Sequence, residues 1–213
     1  MAASMNNPTP SRNARAAAVA LVVGGPLNLF LHLLGQRLGP LSYLSWLVVS
    51  FGILCFCEEM GAAKPLNRAG MVLFAAAFCA NTVAMLAVDP AIIVRAQLLY
   101  AFAVLGALVF WSVALMHRTK TARAVGAVGT TVGAGALLLL LAAHLLLGSV
   151  TVLGFSQLFT ALSEPGRPTF AALMVIDSLL CVWCLSTSAL LWTTRLASAG
   201  DAAALSAPPR SGP

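Results

Sequence analysis

HRTKTAR, residues 117–123, followed by AVGAVGTTVGAGALLLLLAAHLLL, residues 124–147, decides the fold of this chain. A cluster of three cations gives way to a run of 24 residues with no formally charged side chain other than His144. A helix rises 1.5 Å per residue, so such a run is long enough to cross about 30 Å of hydrocarbon. A basic segment abutting a membrane-length apolar run marks the cytoplasmic flank of a crossing.

Outward from that stretch, five more apolar segments meet the same criterion: Ala16–Leu34, Leu41–Cys57, Gly70–Val88, Gln97–Met116 and Phe170–Thr194. Charged residues are 8% of the chain and apolar residues 60%, with a mean hydropathy of +0.94. A soluble domain needs about 25% charged residues to cover its surface, so a water-soluble fold is excluded. The expected fold is all-α: a polytopic membrane protein with six transmembrane helices in one bundle. The bundle occupies residues 16–196, with tails at 1–15 and 197–213 that have little to bury and are expected to be mobile.

The cations give the orientation. Arg12, Arg15, Lys64, Arg68, Arg118, Lys120, Arg123, Arg195 and Arg210 fall in the tails and even-numbered connections; Arg37, Arg95 and Arg167 fall in the odd ones. The positive-inside rule puts both termini in the cytoplasm, in the plasma (inner) membrane of the cell. A further apolar stretch, Val150–Leu162, is too short to span and is expected to lie on or dip into the outer face.

The net charge of +6 would suggest nucleic acid in a soluble protein. Here the cations flank membrane segments, where they meet anionic lipid, and no basic stripe interleaved with aromatics offers a nucleic-acid surface. The expected partners are the bilayer and, through small-residue helix faces, another membrane protein. Gly129 and Gly133 form a GxxxG step, which lets two helix backbones approach closely. Packing within the bundle is its first reading and a partner helix its second. Gly24-Gly25-Pro26 should kink the first helix, because proline removes a backbone hydrogen bond.

Polar side chains inside hydrocarbon are costly and mark candidate sites. Asn28, Asn81 and Asp177 fall roughly 9–13 Å below the outer boundary at 1.5 Å per residue. His32 and His144 lie nearer that boundary. Asp177 must be protonated or paired with a donor, and Arg95 is one candidate donor. Two readings follow: the three groups bond one another and fix helix packing, or with the histidines they line a polar pocket open to the outer face. The pocket implies a small-solute binding or transport component. The alternative is a non-catalytic membrane subunit or anchor of a larger complex.

No cofactor or metal is expected. Haem b held between His32 and His144 is a distant alternative, since bis-histidine ligation needs two histidines at one depth on different helices. Cys181-Val-Trp-Cys184 matches C-x-x-C but sits mid-helix, away from the accessible, electropositive setting a redox pair wants. No G-x-S-x-G, Walker A or H-E-x-x-H pattern occurs, so nothing in the sequence assigns a catalytic residue.

Overall fold

The computed structural model of the chain describes residues 11–33, 41–60, 64–146 and 168–193. They form six helices and no strand: α1 (Arg12–Leu33), α2 (Leu41–Glu59), α3 (Lys64–Leu86), α4 (Pro90–Met116), α5 (Lys120–Leu146) and α6 (Pro168–Thr193). Five of them, all but α2, are long and apolar enough to cross a membrane. The stretch Val150–Leu162 and both outermost tail segments lie outside the described residues.

Local signals explain where the helices start. α1 begins one turn before the apolar run because Ser11 caps it, its Oγ accepting the Ala14 N–H at 3.0 Å. The same hydroxyl donates to Glu59 at the end of α2. Asp89 caps α4 by accepting the Ala91 N–H at 2.8 Å, with Pro90 at the first helical position where its missing N–H costs nothing. α1 is assigned as one helix through Pro26.

Side-chain register fixes the helix directions. Gly24 of α1 meets Val49 of α2, and Gly52 of α2 meets Leu21 of α1, so the two run antiparallel. Asn28 reaches Asp177 of α6 at one level and Ala18 accepts from Ser188 at another, making α1 and α6 antiparallel as well. Gly70 meets Trp111 and Leu73 meets Gly106, setting α3 against α4; Gly126 meets Ser112 and Gly133 meets Val109, setting α5 against α4. Tyr100 pairs with Asp177 while Trp111 pairs with Trp183, so α4 and α6 run parallel. The starts of α1, α3 and α5 therefore share one end of the bundle with the ends of α2, α4 and α6. Arg12, Arg15, Lys64, Arg68, Arg118, Lys120 and Arg123 gather at that end, and Arg95 stands at the other.

α1 packs chiefly on α2 and α6, and α4 chiefly on α3 and α5. Sequence neighbours α2 and α3 meet only weakly despite their short connection. The inner faces of α1 and α5 are cut for close approach. A Cβ at Gly24 would lie 2.8 Å from Val49, and one at Gly25 would lie 2.8 Å from Cys184 Cβ. Gly126 and Gly129 lie against Ser112. Gly133, at the other end of the GxxxG step, lies against Val109 of α4. α4 is the most enclosed helix, and α5 is largely exposed.

Between the helices runs a file of aromatic rings. Trp46 touches Phe74, Phe78 and Tyr100; Phe74 leads to Trp111, Trp111 to Trp183, and Trp183 to Phe56, with centroids 4.7–5.9 Å apart. Offset and edge-on pairs at such spacing are the favourable ones. In a bilayer, where burial from lipid gains little, this packing carries much of the helix–helix attraction.

Candidate functional site

One polar layer links four helices. Asp177 of α6 is 1% exposed, Asn28 of α1 and Tyr100 of α4 2%, and Ser45 of α2 1%. The Tyr100 phenol donates to Asp177 Oδ1 at 2.5 Å, and Asn28 Nδ2 donates to the same oxygen at 3.3 Å. Ser45 Oγ donates to Asn28 Oδ1 at 3.1 Å. Asn28 is the pivot: its amide accepts on one side and donates on the other. That arrangement fixes the amide orientation, because a flipped Asn28 would turn an NH2 toward the serine hydroxyl and an oxygen toward the carboxyl.

This layer joins two of the three groups placed at one depth by their sequence positions. Asn81, the third, stays outside it. Its side chain is half-buried on α3, and its Nδ2 has no hydrogen-bond partner among the described residues. By the register that sets Gly70 against Trp111 and Leu73 against Gly106, Asn81 stands level with Gln97 of α4, whose Oε1 is likewise buried and unpartnered. The donors to Asp177 are Tyr100 and Asn28, while Arg95 is exposed. His32 lies on the last turn of α1 and His144 near the end of α5; their side chains fall outside the described residues, so the haem reading rests on sequence alone.

Sequence reading missed Ser45 and Tyr100. A signal was present: Tyr100 sits within an apolar span at the depth of Asp177 and carries a hydroxyl that demands a partner when buried. Serine gives no comparable signal, because it can bond the carbonyl of its own preceding turn. Ser178, Ser186 and Thr82 all do so.

Nearer the basic end the polar groups are differently placed. The indole Nε1 atoms of Trp111 and Trp183, Ser112 Oγ, Thr187 Oγ1 and both amide atoms of Asn67 are buried with no hydrogen-bond partner among the described residues. Cys181 and Cys184 pack on Gly25 of α1 and are free thiols. No group of three or more metal-binding side chains occurs among the described residues. What the Asp177 layer can do chemically is narrow: it holds a carboxyl in place through a phenol and an amide, and it couples three helices through Asp177 Oδ1 and a fourth through Asn28 Oδ1. The chain matches no protein-family model, no curated protein and no solved structure.

Proposed function

We propose that this is a six-crossing integral membrane protein with both termini in the cytoplasm, acting as a non-catalytic membrane component whose polar centre serves to assemble its own bundle. One observation carries the reading. The candidate ligand-binding groups Asn28 and Asp177 are directed at each other, at Ser45 and at Tyr100, within a layer at most 2% exposed. The gathering of cations at the starts of α1, α3 and α5 supports the orientation, since that end is the one the positive-inside rule assigns to the cytoplasm. α2, with its exposed Leu44, Leu47, Phe51 and Leu54, supplies the sixth crossing in this reading.

Two measurements test it. Arg210→Cys should resist a membrane-impermeant thiol reagent added outside intact cells; strong labelling would reverse the orientation. Asp177→Asn should lower the melting temperature in detergent while leaving proteoliposomes as tight to a pH gradient as the wild type. A wild-type proton leak that Asp177→Asn abolishes would overturn the assembly role.

That second outcome would favour a small-solute or proton site at Asp177. The observation on its side is a pair of buried amide atoms, on Asn81 and Gln97, without a partner among the described residues, a donor and an acceptor level with each other on adjacent helices. Their half-buried side chains would form one wall of such a site.

A further inference from the structure

The six helices sort into two units of three. α1 packs on α2 and α6, α4 packs on α3 and α5, and contacts across the division are far lighter than those inside each unit. The glycines draw the same line. For each described glycine that touches another helix, the nearest atom belongs to its own unit, as with Gly24 and Gly52 in the first and Gly70 and Gly126 in the second. Between the units the backbones stand apart and rings fill the space, Trp46 against Phe74, Phe78 and Tyr100, and Trp111 against Trp183.

The two units are built alike. Their central helices, α1 and α4, run in opposite directions. Each packs on the helix that follows it, α2 or α5, and on the third helix of the opposite half of the sequence, α6 or α3. Setting α1–α2–α3 on α4–α5–α6 therefore reproduces every extensive contact of the bundle with the direction reversed. Even the light contact of α2 with α3 has its counterpart in that of α5 with α6. In the six-crossing reading this is the pattern of inverted-topology repeats, related by an axis in the membrane plane, here with their third helices exchanged.

One contact breaks the pattern. α4 meets α6 through Tyr100 and Asp177, and again through Trp111 and Trp183, while α1 and α3 make no comparable contact. Inverted repeats that differ in this way mark one of two states, since exchanging their conformations yields the other by a rocking of the units. Tyr100 lies in the half of α4 nearer Pro90, away from the basic end, so its counterpart closure between α1 and α3 falls in the half of α1 nearer Arg12. The Asp177 layer is also divided where such a motion needs it to be. Asn28, Ser45 and Asp177 belong to the first unit and Tyr100 to the second. Trp46 Nε1, beside the Tyr100 ring, is buried without a partner among the described residues. A buried donor left unpaired in one state is accounted for when another state brings it water.

We propose that α1–α3 and α4–α6 are inverted repeats, and that the molecule alternates between this state and one in which α4 parts from α6 while α1 closes on α3. The Tyr100–Asp177 bond is then a latch on the outer side, a role beyond holding the bundle together.

The test uses the full chain in lipid nanodiscs, wild type and Tyr100→Phe, labelled by hydroxyl radicals and read at each tryptophan by mass spectrometry. Trp192, already exposed, is the internal standard. Tyr100→Phe removes the latch and keeps the ring. Trp46 should then be oxidised about three- to twentyfold faster, the population gained on losing one interhelical hydrogen bond. Trp111 and Trp183, nearer the basic end, should keep their wild-type rates. A second readout follows the helices themselves. With the five cysteines replaced, spin labels at exposed Leu99 and Val175 report the α4–α6 distance, and labels at exposed Val19 and Val72 the α1–α3 distance. Tyr100→Phe should lengthen the first and shorten the second. Lengthening without shortening, or equal acceleration at all three buried tryptophans, would mean that the bundle loosens rather than exchanges, and would overturn the proposal. So would an unchanged Trp46 rate in folded Tyr100→Phe; a lowered melting temperature beside it would leave the assembly role standing. The tryptophan readout needs no cysteine replacement and decides alone should that background fail to fold.

Discussion

The Asp177 layer and the Trp111–Trp183 layer solve the same problem, holding helices together without water to expel, by opposite means. In the first, Asp177, Asn28, Ser45 and Tyr100 bind one another through directional hydrogen bonds. In the second, glycines let backbones close on large rings, and the polar atoms of Ser112, Trp111 and Trp183 are left without partners among the described residues. The difference teaches where each layer is vulnerable. A hydrogen-bonded layer tolerates small changes of volume but not loss of a partner. A close-packed layer tolerates loss of a polar atom but not an added methyl.

The largest effect is therefore expected in the packed layer. Gly126→Val places a Cβ that would meet the Ser112 carbonyl and come within 2.9 Å of the Met116 backbone nitrogen. Backbone cannot step aside as a side-chain tip does, so the loss should reach about 3 kcal/mol, the upper end of overpacking costs. Reversible unfolding in mixed detergent micelles measures it. A loss below that of the polar variants would break the comparison.

Next comes Asp177→Ala, which leaves the Tyr100 hydroxyl and the Asn28 amide facing nothing. Interhelical hydrogen bonds in membranes are worth about 0.6 kcal/mol on average and up to about 1.7, so losing two should cost about 1–3 kcal/mol. Asp177→Asn, which keeps an acceptor oxygen, should lose well under half of that in the same assay.

Tyr100→Phe removes one hydroxyl and keeps the ring against Trp46, and should cost about 1 kcal/mol. A double-mutant cycle with Asp177→Ala, which removes the acceptor, should then show coupling between the two sites. Additive losses would mean that the 2.5 Å contact does not stabilise the fold. The smallest effect is expected from Ser45→Ala, about 0.5 kcal/mol, because Asn28 keeps its contact with Asp177. A loss larger than that of Tyr100→Phe would make Asn28 rather than Asp177 the centre of the layer.

How much of this was legible in the sequence follows from which forces leave a trace there. Helix existence did, because hydrocarbon demands runs of apolar residues at membrane length. Common depth did too, since 1.5 Å per residue places Asn28 and Asp177 together before any contact is known. Helix order around the bundle did not. α2 and α3, adjacent in sequence, meet only weakly, while α1 and α6, far apart in the chain, pack far more extensively. Nothing in an apolar stripe names its partner, because lipid and helix are nearly equivalent neighbours for leucine. Tyr100 was overlooked for a related reason: among Leu98, Leu99, Ala101 and Phe102 an aromatic ring reads as packing, and only the facing carboxyl reveals its hydroxyl as the functional end. Which helix would lie against Gly129 and Gly133 could not be read from the sequence, because a GxxxG step offers the same smooth face to any neighbour.

The bond from Asn28 to Asp177 spans 149 residues of chain. A ribosome adding 5–20 residues per second needs roughly 7–30 s to cover that distance. For that interval the Asn28 amide is denied its carboxyl, and Ala18 still waits for the hydroxyl of Ser188. The nascent protein is thus an open form until α6 arrives, and a chain stopped short of residue 177 would present the Asn28 amide to whatever in the membrane inspects unfinished proteins.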